Sequence, residues 1–408
     1  MEIERVVQEC CSFKGETQSE DGEEWSAWWS QLPNDLKEKV LAWLPVENLC
    51  RYCCVCKEWN TVFLSRRFIC DDWVAAPPNK KSWLVLWNDI SLNFMAYCFF
   101  TNTWKKFSFA FLQEKYDVEV LEIHRSAAGL FLLSIVSLKH IVFKHIVSNP
   151  LTTMSFELPR INDRAILGMT IVVGEGESHN GETYKVIAIT GNKQRVQIYD
   201  SVLKTWSTAG HGRHNLRVLW TTYKEKIVVC EDLLYCKFVE GVAVFNLQNG
   251  KYGIVCFPFE NAETRGMPRE DIIFSCGSRV LLELSVLKAD MVFRGFLITE
   301  IVKPKWDLDK SVGLRFIAIM PPTVLQTFRT EKLTSKYVFI LRRFGSLMFD
   351  FEGTGDLVCL RHACAKEVLV YNTTQKTWKW LPTGPIPDGR QFSPAIFSFE
   401  PRPHNKFG

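Results

Sequence analysis

The sequence predicts a small all-α module of three short helices followed by an all-β propeller of six four-stranded blades. Three observations carry that expectation. The front stretch "QLPNDLKEKVLAWLPVENLCRYCCVCKEW", Gln31 to Trp59, has helical apolar spacing and two Leu-Pro steps around its first helix. Behind it, a pattern of alternating apolar residues followed by a ring recurs six times at intervals near fifty residues. The chain has 408 residues, too many for one ordinary domain and suited to a small domain plus a large one.

Composition narrows the class. The chain is 47% hydrophobic and 23% charged, as in folded soluble proteins. Its 49 basic and 45 acidic residues leave a net charge of +4. That is too weak a bias for a nucleic-acid partner, which calls for clustered Lys and Arg. No apolar run approaches the ~18 residues of a membrane helix, and the N-terminus lacks the basic-then-apolar pattern of a signal peptide. The expectation is a cytoplasmic or nuclear protein, without a membrane partner, whose 14 cysteines are free and largely buried. The first 24 residues hold eight Asp or Glu against two Lys or Arg and read as a flexible acidic tail. The expected organisation is that tail over 1–24, the helical module over 25–72, the propeller over 73–401 and a short tail over 402–408.

Within the module, Leu36, Val40, Leu41, Trp43 and Leu44 share one broad helical face, with Lys37, Glu38 and Lys39 on the other side. Asn34 or Asp35 is placed to cap the helix, with Glu38 completing a capping box. Pro33 and Pro45 mark its ends. A second helix fits Val46 to Tyr52, and a third fits Cys56 to Phe63 with Trp59, Val62 and Phe63 on one face. Three such helices bury too little surface to stand alone, so the module should lean on a partner or on the next domain.

Leu32, Pro33, Asp35, Leu36, Val40, Leu44, Pro45, Leu49, Arg51, Val55, Cys56, Lys57 and Trp59, in this order and spacing, resemble an F-box. In F-box proteins this module binds a Skp-family adaptor, which leads to a cullin scaffold, a RING subunit and a ubiquitin-conjugating enzyme. The resemblance implies adaptor contacts through Leu32, Pro33, Leu36, Val40, Leu41, Leu44, Pro45, Leu49, Val55 and Trp59, large apolar anchors of the helix-in-groove kind. Cys50, Cys53, Cys54 and Cys56 have the spacing of a zinc knuckle, but no second pair occurs to complete four ligands. Packing cysteines are the preferred reading, and no metal or cofactor is expected.

The repeat is clearest in "VQIYDSVLKTWSTAG" (Val196 to Gly210) and "VLVYNTTQKTWKWLP" (Val368 to Pro382). Aligned on Asp200 and Asn372, each has a tryptophan six residues on, Trp206 and Trp378. Weaker copies anchor at Cys98, Asn149, Asn246 and Glu300, followed by Trp104, a slot flanked by Met154 and Phe156, Tyr252 and Trp306. Anchors at 98, 149, 200, 246, 300 and 372 lie 51, 51, 46, 54 and 72 residues apart, a period suited to propeller blades. Each copy reads as a half-buried strand, a five-residue hairpin and, except in the Asn149 copy, where Ser155 takes the slot, a ring that packs between neighbouring sheets. The repeats resemble the divergent kelch repeats of plant F-box/kelch proteins, though a Gly-Gly doublet in each blade is missing. The last interval implies an insertion around Pro321 to Lys336. The terminal "FSPAIFSFEP" (Phe392 to Pro401) is expected to complete a blade begun by the N-terminal part, removing exposed sheet edges.

Catalytic motifs are sparse. "GEGESHNGE" (Gly174 to Glu182) lacks the third glycine and the following helix of a phosphate loop. His211 and His214 lie three apart without a third ligand. The loops of one propeller mouth, around Glu175 to Gly181, His211 to Arg217 and Ala262 to Glu270, are the candidate partner surface. Arg213, His214, Arg217, Arg265 and Arg269 are its candidate contacts with a protein substrate. The resemblance implies a non-catalytic substrate-recognition subunit of a Skp-cullin-F-box ubiquitin ligase. The alternatives are a binding scaffold or a ligand-sensing propeller without ligase activity.

Overall fold

The computed structural model describes residues 31, 33–42, 57, 59, 61, 83–87, 92–137, 142–161, 166–174, 183–191, 195–211, 227–238, 241–250, 252–256, 272–287, 293–302, 314–321, 323–324, 349–362, 367–384 and 395–402. Helix α1 spans Asn34–Ala42. It starts one residue earlier than its apolar spacing suggests, because the Pro33 carbonyl accepts the N–H groups of Leu36 and Lys37 at 3.0 and 3.1 Å. Pro33 therefore holds the cap position, and Asn34 and Asp35 lie inside the first turn. The expected capping box is out of register, and Asp35 instead sits where the helix dipole favours a negative charge. Residues 57, 59 and 61 are also helical, and the Thr61 hydroxyl donates to the Lys57 carbonyl at 2.8 Å.

Six four-stranded antiparallel sheets follow. Blade I orders its strands β24-β1-β2-β3, from Ala395–Phe399, Trp83–Trp87, Asn93–Cys98 and Thr103–Ser108. Blade II runs β4 (Val120–Ala127), β5 (Leu130–Ser137), β6 (Val142–Asn149) and β7 (Met154–Glu157). Blade III contains β8 (Ile166–Gly174), β9 (Thr183–Thr190), β10 (Arg195–Asp200) and β11 (Thr205–His211). Blade IV contains β12 (Ile227–Cys230), β13 (Leu233–Phe238), β14 (Gly241–Asn246) and β15 (Tyr252–Cys256). Blade V is β16 (Ile273–Cys276), β17 (Arg279–Leu287), β18 (Phe293–Ile301) and β19 (Leu314–Ile319). Blade VI is β20 (Phe349–Thr354), β21 (Leu357–His362), β22 (Leu369–Asn372) and β23 (Thr377–Trp380). A short helix α2, Phe111–Tyr116, links blades I and II.

The first strand of each sheet, as ordered above, touches that of the next blade, from β4 through β8, β12, β16 and β20 to β24, which returns to β4. The ring is closed, and β24 supplies the missing strand of blade I, pairing Trp83 with Phe399 and Trp87 with Ala395. Each of the six seams holds its own apolar cluster. A blade thus buries both faces only against its neighbours, which is why a single repeat cannot fold alone.

Every repeat anchor ends, or stands one residue before the end of, the third strand of its blade. The hairpin that follows is built the same way in several blades. The side-chain oxygen of Asp200 accepts the N–H groups of Val202 and Leu203. Asn246 and Asn372 do the same for the residues two and three further on, an Asx turn that explains the polar anchor. The residue four after the anchor is left-handed in five blades, at Asn102, Thr153, Lys204, Gly250 and Lys376. Only one of these is glycine, so the turn escapes a search for glycine doublets. The ring six residues on then faces the aromatic residue before the anchor, with centroids 5.0 Å apart for Tyr97 and Trp104, 5.5 Å for Tyr199 and Trp206, and 4.7 Å for Tyr371 and Trp378. As expected, these rings lie in the seams. Trp104 borders the blade I–VI cluster, Trp206 the II–III cluster and Trp378 the V–VI cluster. Two of them also clip blades together. Trp104 Nε1 donates to the Pro382 carbonyl at 2.9 Å, and Trp206 Nε1 to the Pro159 carbonyl at 2.8 Å. The extra length of the last interval falls between β19 and β20.

Candidate functional site

On the helical module, Pro33 is exposed and Leu36 keeps 43% of its surface in solvent. Lys37 and Glu38, on the side opposite the apolar face, are buried. Apolar periodicity gives the two faces of a helix but not which one its neighbours cover, and here the neighbours take the polar side. A leucine left outside while a lysine and a glutamate are taken in is the reverse of ordinary burial. Of the other candidate adaptor contacts, Val40 and Leu41 lie on α1, and only their backbone is described. Leu32, Leu44, Pro45, Leu49 and Val55 lie outside the described residues, as do the cysteine cluster and the second helix. Trp59 is half-buried and packs against the apolar cluster between blades I and II.

The candidate propeller contacts Arg213, His214, Arg217, Arg265 and Arg269 lie outside the described residues. Strand order still sorts the connections that carry them. In an up-and-down blade, successive connections alternate between the two faces of the ring. The β11–β12 and β15–β16 connections, holding these five residues, leave from one face. The β8–β9 connection, holding Glu175 to Gly181, leaves from the other, so the sequence grouping of all three loops at one mouth is corrected.

The ring centre carries a polar cluster that sequence reading missed. Arg125 near the end of β4 reaches Glu352 on β20 at 3.0 Å, with side chains 10% and 0% exposed. The other guanidinium nitrogen donates to Ser275 on β16 at 3.1 Å. The second Glu352 oxygen accepts the Ser398 hydroxyl of β24 at 3.3 Å. Four inner strands, from blades I, II, V and VI, are tied through one ion pair. The closing strand is fastened further by Ser126, which donates to the Ser398 carbonyl, and by Asn149, whose amide donates to the Arg402 carbonyl at 2.8 Å. The sequence signal was slight: each of the two inner strands, "VLEIHRSA" and "FDFEGT", carries two charged residues among apolar ones, and nothing in either marks Arg125 or Glu352 as the one that turns inward.

A second polar group lies within blade II. Ser134 Oγ sits 2.5 Å from His124 Nε2 and 2.7 Å from His145 Nδ1. A single hydroxyl proton can serve only one ring, so the oxygen accepts from the other. Burial, with repulsion from His124, lowers the His145 pKa to about 4. Burial and the adjacent Arg361 lower that of His362, on β21, to about 4 as well. The Cys276 thiol is pushed up to about 12 by burial, and burial also raises Cys359. Both are poor nucleophiles in this state. Among the described residues no group of three or more His, Cys, Asp or Glu side chains is placed to hold a metal ion, and no helix is long and apolar enough to cross a membrane. Cys98, Cys230, Cys236, Cys276 and Cys359, the cysteines whose side chains are described, are free thiols, four of them buried.

Residues 29–71 match the F-box domain family. The chain is 23% identical over 373 residues to F-box only protein 6 of Arabidopsis thaliana, covering 89% of this chain and 71% of that protein. It is 22% identical over 421 aligned positions to the F-box/kelch-repeat protein At3g61590 of the same plant, covering 97% and 95%. A shorter similarity, 40% over 72 residues, links it to the putative F-box only protein 9 of Arabidopsis thaliana, covering 16% and 19%.

Proposed function

We propose that this chain, an F-box protein whose body is a six-bladed propeller, is the substrate-recognition subunit of a Skp-cullin-F-box ubiquitin ligase. The observation that carries this reading is α1, within the F-box segment, which offers Pro33 and Leu36 to solvent while burying Lys37 and Glu38. Such a surface fits a groove on a Skp-family adaptor, through which a cullin and a RING subunit join. The propeller holds the protein to be ubiquitinated, and the basic connections carrying Arg213, His214, Arg217, Arg265 and Arg269 are the contacts we assign to it. The chain performs no bond chemistry. Its contribution is effective concentration, because tethering turns an encounter between target and ubiquitin donor into an intramolecular one. The work takes place in the cytoplasm or the nucleus.

Co-purification tests the reading. The intact chain is expected to bring down adaptor and cullin together, and Leu32→Ala with Pro33→Ala is expected to lose both while the propeller melts as before. Undiminished capture by the double variant would refute the F-box contact. Adaptor without cullin would favour a scaffold outside the ligase.

A further inference from the structure

Trp59 stands on the helical module, yet its ring packs on the propeller. It borders the cluster between blades I and II, formed by Trp83, Phe94 and Phe397 of blade I with Ile123, Phe131 and Leu133 of blade II. Phe111 of α2 packs against the same cluster. The exposed Pro33 and Leu36 belong to the opposite role, since they meet solvent rather than the ring. A helical module of this size cannot hold itself together by its own burial. An indole carries one of the largest apolar surfaces of any side chain, so docking it on a finished core stabilises the module where its own helices cannot.

The seam it uses is the one where the ring closes. β24, whose Phe397 and Phe399 belong to that cluster, is tied to β4 by the Ser126–Ser398 bond and to β20 through Glu352, and Arg402, just past its end, is held to β6 by Asn149. A residue anchored there is referenced to a seam cross-tied by side-chain hydrogen bonds. We infer that Trp59 is a positioning residue: it is a joint that fixes the direction in which α1 points relative to the propeller, rather than a contact with the adaptor. This rests on the receptor reading for its consequence only. In a receptor, a fixed joint holds the captured protein at a set place relative to the ubiquitin donor, and positioning of this kind decides transfer rates.

The test uses the full chain, alone and bound to its Skp-family adaptor, as parent, Trp59→Ala and Trp59→Phe. Small-angle X-ray scattering reads the joint, and calorimetric titration reads adaptor affinity. Trp59→Ala is expected to raise the radius of gyration and the maximum dimension of the free chain. Trp59→Phe, which keeps a ring on the cluster, is expected to restore both, and adaptor affinity stays at the parent value in each. Unchanged scattering of Trp59→Ala overturns the inference. A roughly thirtyfold loss of adaptor affinity, the size expected when a central interface tryptophan is truncated, also overturns it and makes Trp59 an adaptor contact. If Trp59→Ala lowers the propeller's own melting temperature, Trp59→Leu takes its place with the same two outcomes. A parent chain that binds no adaptor would end the receptor reading, while scattering of the free chain would still decide the joint.

Discussion

The ion pair at the ring centre offers the sharpest test of how the propeller is held. Arg125→Met keeps the length and apolar stem of the side chain but removes its charge. Glu352, fully buried at 0% exposure, then faces Met with only the Ser398 hydroxyl still aimed at it among the bonds described above. Removing one partner of a buried pair costs about 3–5 kcal/mol, because the remaining charge is left uncompensated. Against a usual total of about 5–15 kcal/mol, that is a large fraction of the fold. Replacing both partners with neutral side chains of similar size is close to neutral by the same reasoning. Arg125→Met with Glu352→Gln should therefore recover to within about 1 kcal/mol of the parent. Urea unfolding followed by far-ultraviolet circular dichroism of parent, both single variants and the double variant gives the full cycle. Arg125→Met within about 1 kcal/mol of the parent, or a double variant no better than that single one, would refute the view that the pair is buried and mutually dependent.

Other predictions concern the rest of the ring. His145 and His362 titrate near pH 4 in the folded chain and near 6.5 when unfolded. The unfolded state therefore binds more protons between those values, and stability falls as pH drops from about 6.5 to 4, by about 3 kcal/mol for each ring. Thermal melts across that range should show the slope, and His145→Gln should flatten part of it. A Cβ on Gly353 would stand 2.0 Å from the Ser275 carbonyl oxygen, backbone that cannot yield, so Gly353→Ala is expected to fail to give soluble, cooperatively melting protein. Trp206→Phe keeps the ring but loses the bond to Pro159, for a loss of about 1 kcal/mol in urea unfolding. Lys376→Gly relieves a left-handed residue with φ of 56° and should raise stability by about 1 kcal/mol.

The ring was legible in the chain because its repeat is written in residues with local jobs. Asp200, Asn246 and Asn372 close the turn with their own side chains, and Trp104, Trp206 and Trp378 fill seams at a fixed offset from it. Even the Leu-Pro step shared by two copies has a purpose, since its carbonyl receives the next blade's indole. The central pair was not legible. Arg125 and Glu352 are 227 positions apart, each strand carries a second charge, Glu122 or Asp350, and nothing local says which of them will meet.

The module shows the same division between local and distant information. Its helix was readable from spacing and from Pro33, but its rotation was not, because burial of Lys37 and Glu38 depends on what lies beside the helix. The polar side goes in, the ring of Trp59 holds the propeller, and Leu36 stays out. On the proposed reading the adaptor covers Leu36, so adaptor binding should stabilise the module more than the propeller. Amide exchange measured with and without adaptor would therefore slow along α1 and leave the inner strands β4 and β20 unchanged. Equal slowing in both would mean that the module and the ring fold as one unit, and that Leu36 is exposed for some reason other than docking.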